Sequence, residues 1–227
     1  MQISSDGIIL WHFGFFSLNG TIVFTWIVMV LLTAGSWLVT RRLSTDTHLS
    51  HWQTILESVV SGIQQQLKEV SIREPGRLLP FLGTLFLFIA VSNVLSVVPG
   101  FISPTGSLST TTALAACVFF AVPCYGISET GFFNYLHNYF RPTFFMLPFN
   151  VMGELSRTLA LAVRLFGNAM SSAMLGAILL AIAPLFVPVP MQLLGLLTGL
   201  VQAYIFAILA AVYISAGMEV QKQENNP

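Results

Sequence analysis

Five long apolar runs set the main limit on how this chain can fold. They cover residues 21–40, 79–98, 108–127, 150–183 and 188–219. A helical apolar run of about 20 residues crosses the hydrocarbon core of a bilayer once. Only 8% of the residues are charged, whereas about 25% are charged in a soluble domain. The chain is therefore predicted to be an all-α polytopic membrane protein with five membrane-crossing helices.

The basic residues predict the orientation of these helices, because cytoplasmic loops carry an excess of Lys and Arg. All basic residues outside the apolar runs fall in segments that this rule assigns to the cytoplasm: Arg41, Arg42, Lys68, Arg73, Arg77, Arg141 and Lys222. Residues 1–20 have no Lys or Arg, so they lack the basic region of a secretory signal. We therefore expect a single membrane domain over residues 1–227, with its N-terminus outside and its C-terminus in the cytoplasm.

Residues 50–72 are more polar than the five runs, but they show a helical pattern. Their apolar side chains recur at helical spacing: Trp52, Ile55, Leu56, Val59, Val60, Ile63 and Leu67. This pattern predicts an amphipathic helix at the cytoplasmic interface. A solvated linker helix is the alternative.

The last two apolar runs are too long for a perpendicular crossing. If helical, they extend over roughly 50 Å and 48 Å, whereas the hydrocarbon core is about 30 Å thick. Prolines lie between them at Pro184, Pro188 and Pro190, where a helix is expected to bend or break. We predict that residues 150–183 and 188–219 form a long tilted helical hairpin.

The first arm of this hairpin carries charged residues in a segment otherwise apolar enough to lie in lipid. On a helical wheel, one face holds Glu154, Arg157, Arg164, Asn168 and Ser171. An arginine at mid-bilayer costs about 2.5–3.5 kcal/mol on insertion scales, so its presence indicates a function. Glu154 and Arg157 can pair locally, but Arg164 has no acid within reach on its own helix. Arg164 is therefore the first candidate functional residue, and its partner is expected elsewhere.

Three motifs resemble subunit a of the rotary F-type ATP synthases. They are Arg164-Leu-Phe-Gly-Asn168, Gln202-Ala-Tyr-Ile-Phe-Ala and Pro104-Thr-Gly-Ser-Leu-Ser-Thr. The similarity extends from about Leu79 to Glu219. It implies a non-catalytic stator subunit without a cofactor, in the plasma (inner) membrane of a bacterium or archaeon. The implied partners are the c-subunit ring, the peripheral-stalk b subunits, the bilayer and, indirectly, the catalytic head. Because the formal net charge is zero, nucleic acid is not expected as a partner.

The resemblance also implies that ions cross through two half-channels and that Arg164 faces the ring. A fixed cation favours the ionised form of each passing ring carboxylate, and it blocks the direct passage of other cations. The candidate ion-translocation residues are Arg164, Asn168, Gln202, Glu154, Arg157, Ser171, Ser172 and Tyr213. The candidate half-channel lining is Asn93, Ser107, Ser109 and Thr198. The hairpin is expected to aim Gln202 at Arg164.

Several positions depart from the family pattern. Ala173 stands where relatives often have an acid, Gly195 where some have histidine, and Ser107 where they often have aspartate. Hydroxyl and amide oxygens can solvate Na⁺ as well as hold a chain of water molecules. The coupling ion can thus be Na⁺ or H⁺, and the pattern is similar to the sodium-translocating branch of bacterial F-type ATPases. No permanently bound metal is expected, only transient Na⁺.

Two other classes of protein are weighed against this interpretation. The main alternative, a stand-alone secondary ion transporter or channel, predicts inverted repeats, but the first half has no second copy of the Arg164 segment. An intramembrane hydrolase needs a nucleophile and a base, yet the four histidines lie outside the apolar runs: His12, His48, His51 and His137. Neither a Gly-x-Ser-x-Gly nor a His-Glu-x-x-His motif occurs. No phosphate-binding glycine loop occurs either, so any coupled ATP chemistry is expected on another subunit.

Overall fold

The computed structural model describes residues 9–13, 16–41, 60–65, 75–98, 101, 103–131, 146–182 and 188–222. Within these ranges, the five long helices are α1 (Gly20–Thr40), α2 (Pro75–Leu95), α3 (Leu108–Thr130), α4 (Met146–Ile182) and α5 (Pro188–Lys222). A 3₁₀ turn, Pro104–Gly106, precedes α3. Each of the five helices is long and apolar enough to cross a membrane. The prediction of an all-α fold with five membrane-crossing helices is confirmed.

A short β-hairpin, which was not expected from the sequence, precedes α1. Strand β1 (Ile9–Phe13) pairs antiparallel with β2 (Phe16–Asn19), and Trp11 lies opposite Leu18. Aromatic and β-branched residues favour this extended backbone, but periodicity does not identify so short a strand reliably. Strand β2 packs on α1, so the hairpin lies at the N-terminal end of that helix.

Part of the expected interfacial helix lies within the described residues. Residues 60–65 are helical, and Ile63 is half-buried against the hydrophobic core. The rest of the segment 50–72 lies outside the described residues.

The last two helices are longer than a bilayer is thick. Helix α4 has 37 residues and α5 has 35, which corresponds to about 55 Å and 52 Å at 1.5 Å per residue. The two helices pack against each other. The bend expected near Pro184 lies outside the described residues.

Helix α5 packs against α2, α3 and α4. Its buried apolar residues recur at helical spacing: Ala203, Phe206, Ala210 and Ile214. They belong to one hydrophobic cluster together with Leu82 and Ile89 of α2 and Leu161 and Leu165 of α4. Three of the other four long helices thus share α5 as a neighbour.

Small residues allow α5 to approach its neighbours closely. At Gly217, an added Cβ atom would lie 2.7 Å from Cγ1 of Val122 on α3. Transmembrane helices use small residues for such contacts because the backbones can then approach one another. By contrast, α1 lies along α2, the 3₁₀ turn and β2, and it exposes Trp26, Val30 and Trp37.

Candidate functional site

Arg164 lies on the exposed face of α4. Its side chain is exposed, whereas Leu161 and Leu165 on the packed face are each only 1% exposed. Among the residues that the structure describes, none forms a hydrogen bond or ion pair with Arg164. Leu159 and Val163 are also exposed beside it, at 53% and 60%. Arg164 therefore places a permanent positive charge between exposed apolar side chains.

Arg157 is exposed as well, but it has a neighbour on α5. Its Cζ atom lies 5.8 Å from the ring centroid of Tyr213, within the range of a cation–π interaction. Its local pairing with Glu154, which the spacing allows, stays a prediction. Glu154 is half-buried, and its backbone carbonyl accepts a hydrogen bond from the Thr158 hydroxyl at 2.9 Å.

A cavity of about 420 Å³ opens between the end of α2, the 3₁₀ turn, the second half of α4 and the start of α5. Its polar lining among the described residues is Asn93, Ser96, Ser103, Thr105, Asn168, Ser172 and Gln192. None of the described lining residues carries a titratable side chain. At about 30 Å³ per molecule, the volume corresponds to about 14 water molecules.

Two unusual positions of the sequence, Ala173 and Gly195, both line this cavity. An added Cβ atom at Gly195 would lie 3.8 Å from Cβ of Ser172, which brings the two helices into contact range here. Ser171, the next residue on α4, is instead exposed and is not among the described lining residues. Ser171 and Ser172, both predicted as ion-translocation residues, therefore lie in different surroundings.

Two asparagines connect the cavity wall to the backbone of α5. Asn168 donates from Nδ2 to the carbonyl of Thr198 at 3.3 Å. Asn93, which is 9% exposed, donates from Nδ2 to the carbonyl of Gly199 at 2.9 Å. Both asparagines were predicted as functional residues, and the structure brings them to neighbouring carbonyls of one helix.

Gln202 lies on the turn of α5 that follows these two carbonyls. Its side chain is 7% exposed, and its Nε2 atom has no hydrogen-bond partner within the described chain. Among the described residues, no hydrogen bond joins Gln202 to Arg164. A buried amide without a partner costs about 1–3 kcal/mol, and such groups are usually completed by water or a bound group.

The other residues predicted to line a half-channel are close to the cavity in sequence but are not among its described lining. Ser107 is buried and donates from its hydroxyl to Ser109 at 3.2 Å. Thr198 contributes its carbonyl to Asn168, while its hydroxyl donates to carbonyls of its own helix, those of Leu194 and Gly195.

Four residues that contribute to the site were not singled out from the sequence: Ser103, Thr105, Gln192 and Gly199. Ser103 precedes the Pro104 motif, Thr105 is its second residue, and Gln192 is a lone amide in an apolar segment, so the sequence did contain a signal for these three. Gly199 is one of many glycines, and only its contact with Asn93 identifies it. The described residues contain no group of three or more His, Cys, Asp or Glu side chains that could hold a metal ion.

Comparisons with the sequences of known proteins identify the family of this chain. The profile of the family described as ATP synthase A chain matches residues 22–215. The chain is 57% identical to ATP synthase subunit a 1 of Chlorobaculum parvum over 226 residues, covering 100% of both chains. It is also 57% identical to ATP synthase subunit a of Albidiferax ferrireducens over 227 residues, covering 100% of this chain and 98% of the relative. ATP synthase subunit a 2 of Acaryochloris marina is 57% identical over 222 residues, covering 98% and 95%. The chain therefore belongs to the ATP synthase A chain family and is a multi-pass, non-catalytic subunit a of the Fo sector.

Proposed function

We propose that this chain carries the stationary half of the ion path and that the exposed face around Arg164 contacts the c-subunit ring. The charge of Arg164 lies on an apolar surface and has no partner in the described chain. A ring carboxylate that passes this face would be held in its ionised form and would release its ion. The same charge repels cations that would otherwise cross without turning the ring.

The cavity of about 420 Å³ is the main observation that supports the proposed ion path. Asn168, one of its lining residues, is four positions beyond Arg164, which is about 6 Å along the helix. With the N-terminus outside, α4 runs from the cytoplasm outward, so the cavity would belong to the outer half-channel. An ion would enter there and reach the ring beside Arg164. At the cytoplasmic end of the hairpin, Glu154, Arg157 and Tyr213 are the candidates for the second half-channel.

The proposed partners follow from this arrangement. The c-subunit ring would cover the Arg164 face, and lipid and the peripheral-stalk b subunits would cover other apolar surfaces. The catalytic head would be coupled only through these subunits. The C-terminus would lie in the cytoplasm, and the membrane would be a bacterial plasma membrane, since the relatives named above are bacterial.

We propose Na⁺ as the coupling ion, as in the sodium-translocating branch of the family. The support is the neutral lining of the cavity, where Ala173 and Gly195 stand at positions that resemble sites of titratable residues in relatives. Na⁺ is a hard cation that hydroxyl and amide oxygens can solvate in place of water. Proton relays usually include a titratable side chain.

The test uses the complete synthase in lipid vesicles, with ATP-driven ion uptake as the readout. Uptake is expected to require Na⁺ and to persist when a protonophore is added. Ser172→Ala should raise the Na⁺ concentration for half-maximal rate, because it removes an oxygen that lines the cavity. Ser171→Ala is the matched comparison, since this hydroxyl lies on the exposed face and not in the described lining; its smaller shift would localise the ion to the cavity.

Two outcomes would contradict the proposal. Sodium-independent acidification of the vesicles, abolished by the protonophore, would identify protons as the coupling ion. An equal shift in the Ser171 and Ser172 variants would remove the cavity from the ion path.

A further inference from the structure

Two side-chain amides donate hydrogen bonds to adjacent backbone carbonyls of α5, in the turn that precedes Gln202. Asn93 of α2 donates to the carbonyl of Gly199, and Asn168 of α4 donates to that of Thr198. In an α-helix, each carbonyl also accepts the backbone N–H four positions further on, and for Thr198 this N–H belongs to Gln202. A carbonyl oxygen has two lone pairs and can accept both bonds. The two amides therefore act on the turn of α5 that carries Gln202.

The Asn93 side chain occupies the space that a side chain at position 199 would need. A Cβ atom added at Gly199 would lie 2.8 Å from Cγ of Asn93 and 3.0 Å from both its Cβ and Nδ2 atoms. Both residues are buried, so the asparagine must shift before a side chain fits at position 199. The asparagine and the glycine therefore fit each other as a pair.

The other end of the Asn93 amide is also engaged. Its Oδ1 atom accepts a hydrogen bond from the hydroxyl of Thr105 at 3.2 Å, and Thr105 is fully buried. The Thr105 hydroxyl is in turn 2.7 Å from that of Ser103. Both ends of the Asn93 amide are therefore bonded to the protein, which fixes its orientation at the cavity wall.

We propose that Asn93 is a positioning residue and not an ion ligand. The Asn93 amide occupies the space left by Gly199 and fixes the axial position and the rotation of α5. It thereby fixes the position of the buried Gln202 amide relative to Arg164. This inference rests on the proposed ion path, but it does not depend on which ion is carried.

The experiment compares Asn93→Ala, Gly199→Ala and the double variant in the complete synthase. Turnover per assembled complex and the ion concentration for half-maximal rate are measured separately, together with the yield of assembled complex. Gly199→Ala should lower turnover by about tenfold, because the added methyl group displaces the asparagine. The double variant should be no more impaired than Asn93→Ala alone, because the methyl group then occupies the vacated space. Gly83→Ala on α2 is the control, since its added Cβ meets nothing within 4 Å.

In Asn93→Ala, turnover per complex should fall while the half-maximal ion concentration changes by less than about twofold. A higher half-maximal concentration with unchanged turnover would make Asn93 an ion ligand and overturn the inference. A double variant as impaired as the product of the two single effects would also overturn it. If Gly199→Ala does not assemble, recovery of assembly in the double variant supports the pair, and failure of both refutes it. Neither result depends on whether uptake requires Na⁺, so the proposed coupling ion is tested separately.

Discussion

Replacing Arg164 by alanine is expected to abolish ATP-driven ion uptake. At an ion-pair distance of about 4 Å and an effective dielectric constant of about 20, a guanidinium and a carboxylate attract by about 4 kcal/mol. Because no described residue of the chain pairs with Arg164, this attraction is available to a ring carboxylate. At 1.36 kcal/mol per tenfold change, its loss corresponds to roughly a thousandfold weaker preference for the ionised ring site. Ion release, and with it rotation, should slow to a similar extent.

Arg164→Lys should also fail, although it keeps the positive charge. A lysine ammonium is a strongly hydrated point charge on a flexible stem, whereas the guanidinium is planar and can bind a carboxylate through two parallel hydrogen bonds. A lysine at position 164 would attract a ring carboxylate as a point charge but would not hold it in a fixed geometry. The lysine variant thus separates the contribution of charge from that of geometry.

The assay is ATP-driven ion uptake by the complete synthase in vesicles, normalised to the amount of assembled complex. A second measurement follows passive ion leak without ATP, which should increase in Arg164→Ala because the electrostatic barrier to direct passage is lost. Full coupling in Arg164→Ala would refute the assignment. Unchanged uptake together with an increased leak would show that Arg164 blocks the direct passage of ions but does not cause the ring carboxylates to release their ions.

Two further predictions concern neighbouring contacts. Arg157→Ala should reduce uptake only a few-fold, because its exposed contact with Tyr213 is worth about 0.5–1 kcal/mol; a loss as large as that of Arg164→Ala would show that both arginines act on the ring. Gly217→Ala should destabilise the chain by about 1–3 kcal/mol, since the added atom would lie 2.7 Å from Cγ1 of Val122. The stability can be followed by heat-induced loss of the chain from the purified complex, where adding Val122→Ala should restore it; an unchanged midpoint in the single variant would mean that the helices separate at little cost.

The number of crossing helices and the prominence of Arg164 were predictable because both depend on the cost of placing groups in lipid. Apolar length determines whether a helix can cross, and a lone arginine within such a length has few structural explanations. The same reasoning predicted that the partner of Arg164 lies outside its own helix, and none is found in the described chain.

The detailed contacts were less predictable, because they depend on how α2, α4 and α5 rotate against each other. One helical wheel groups Arg164, Asn168 and Ser171, yet the structure exposes the first and third while Asn168 is half-buried and bonded to α5. The local spacing suggested Glu154 as a neighbour of Arg157, but it gave no sign of the contact with Tyr213 on the facing helix. Periodicity within one segment carries no information about the side chains that an adjacent helix presents.

The small side chains at the wall of the cavity have a consequence for how the ion preference of such subunits can change during evolution. Ala173 and Gly195 both border the open volume, and an added Cβ at Gly195 would make only an ordinary contact, 3.8 Å from Ser172. A larger or titratable side chain at either position would extend into space that is already present, without moving a helix. A lineage could therefore gain or lose a proton-binding group through single substitutions on an unchanged backbone, while the face around Arg164 stayed the same.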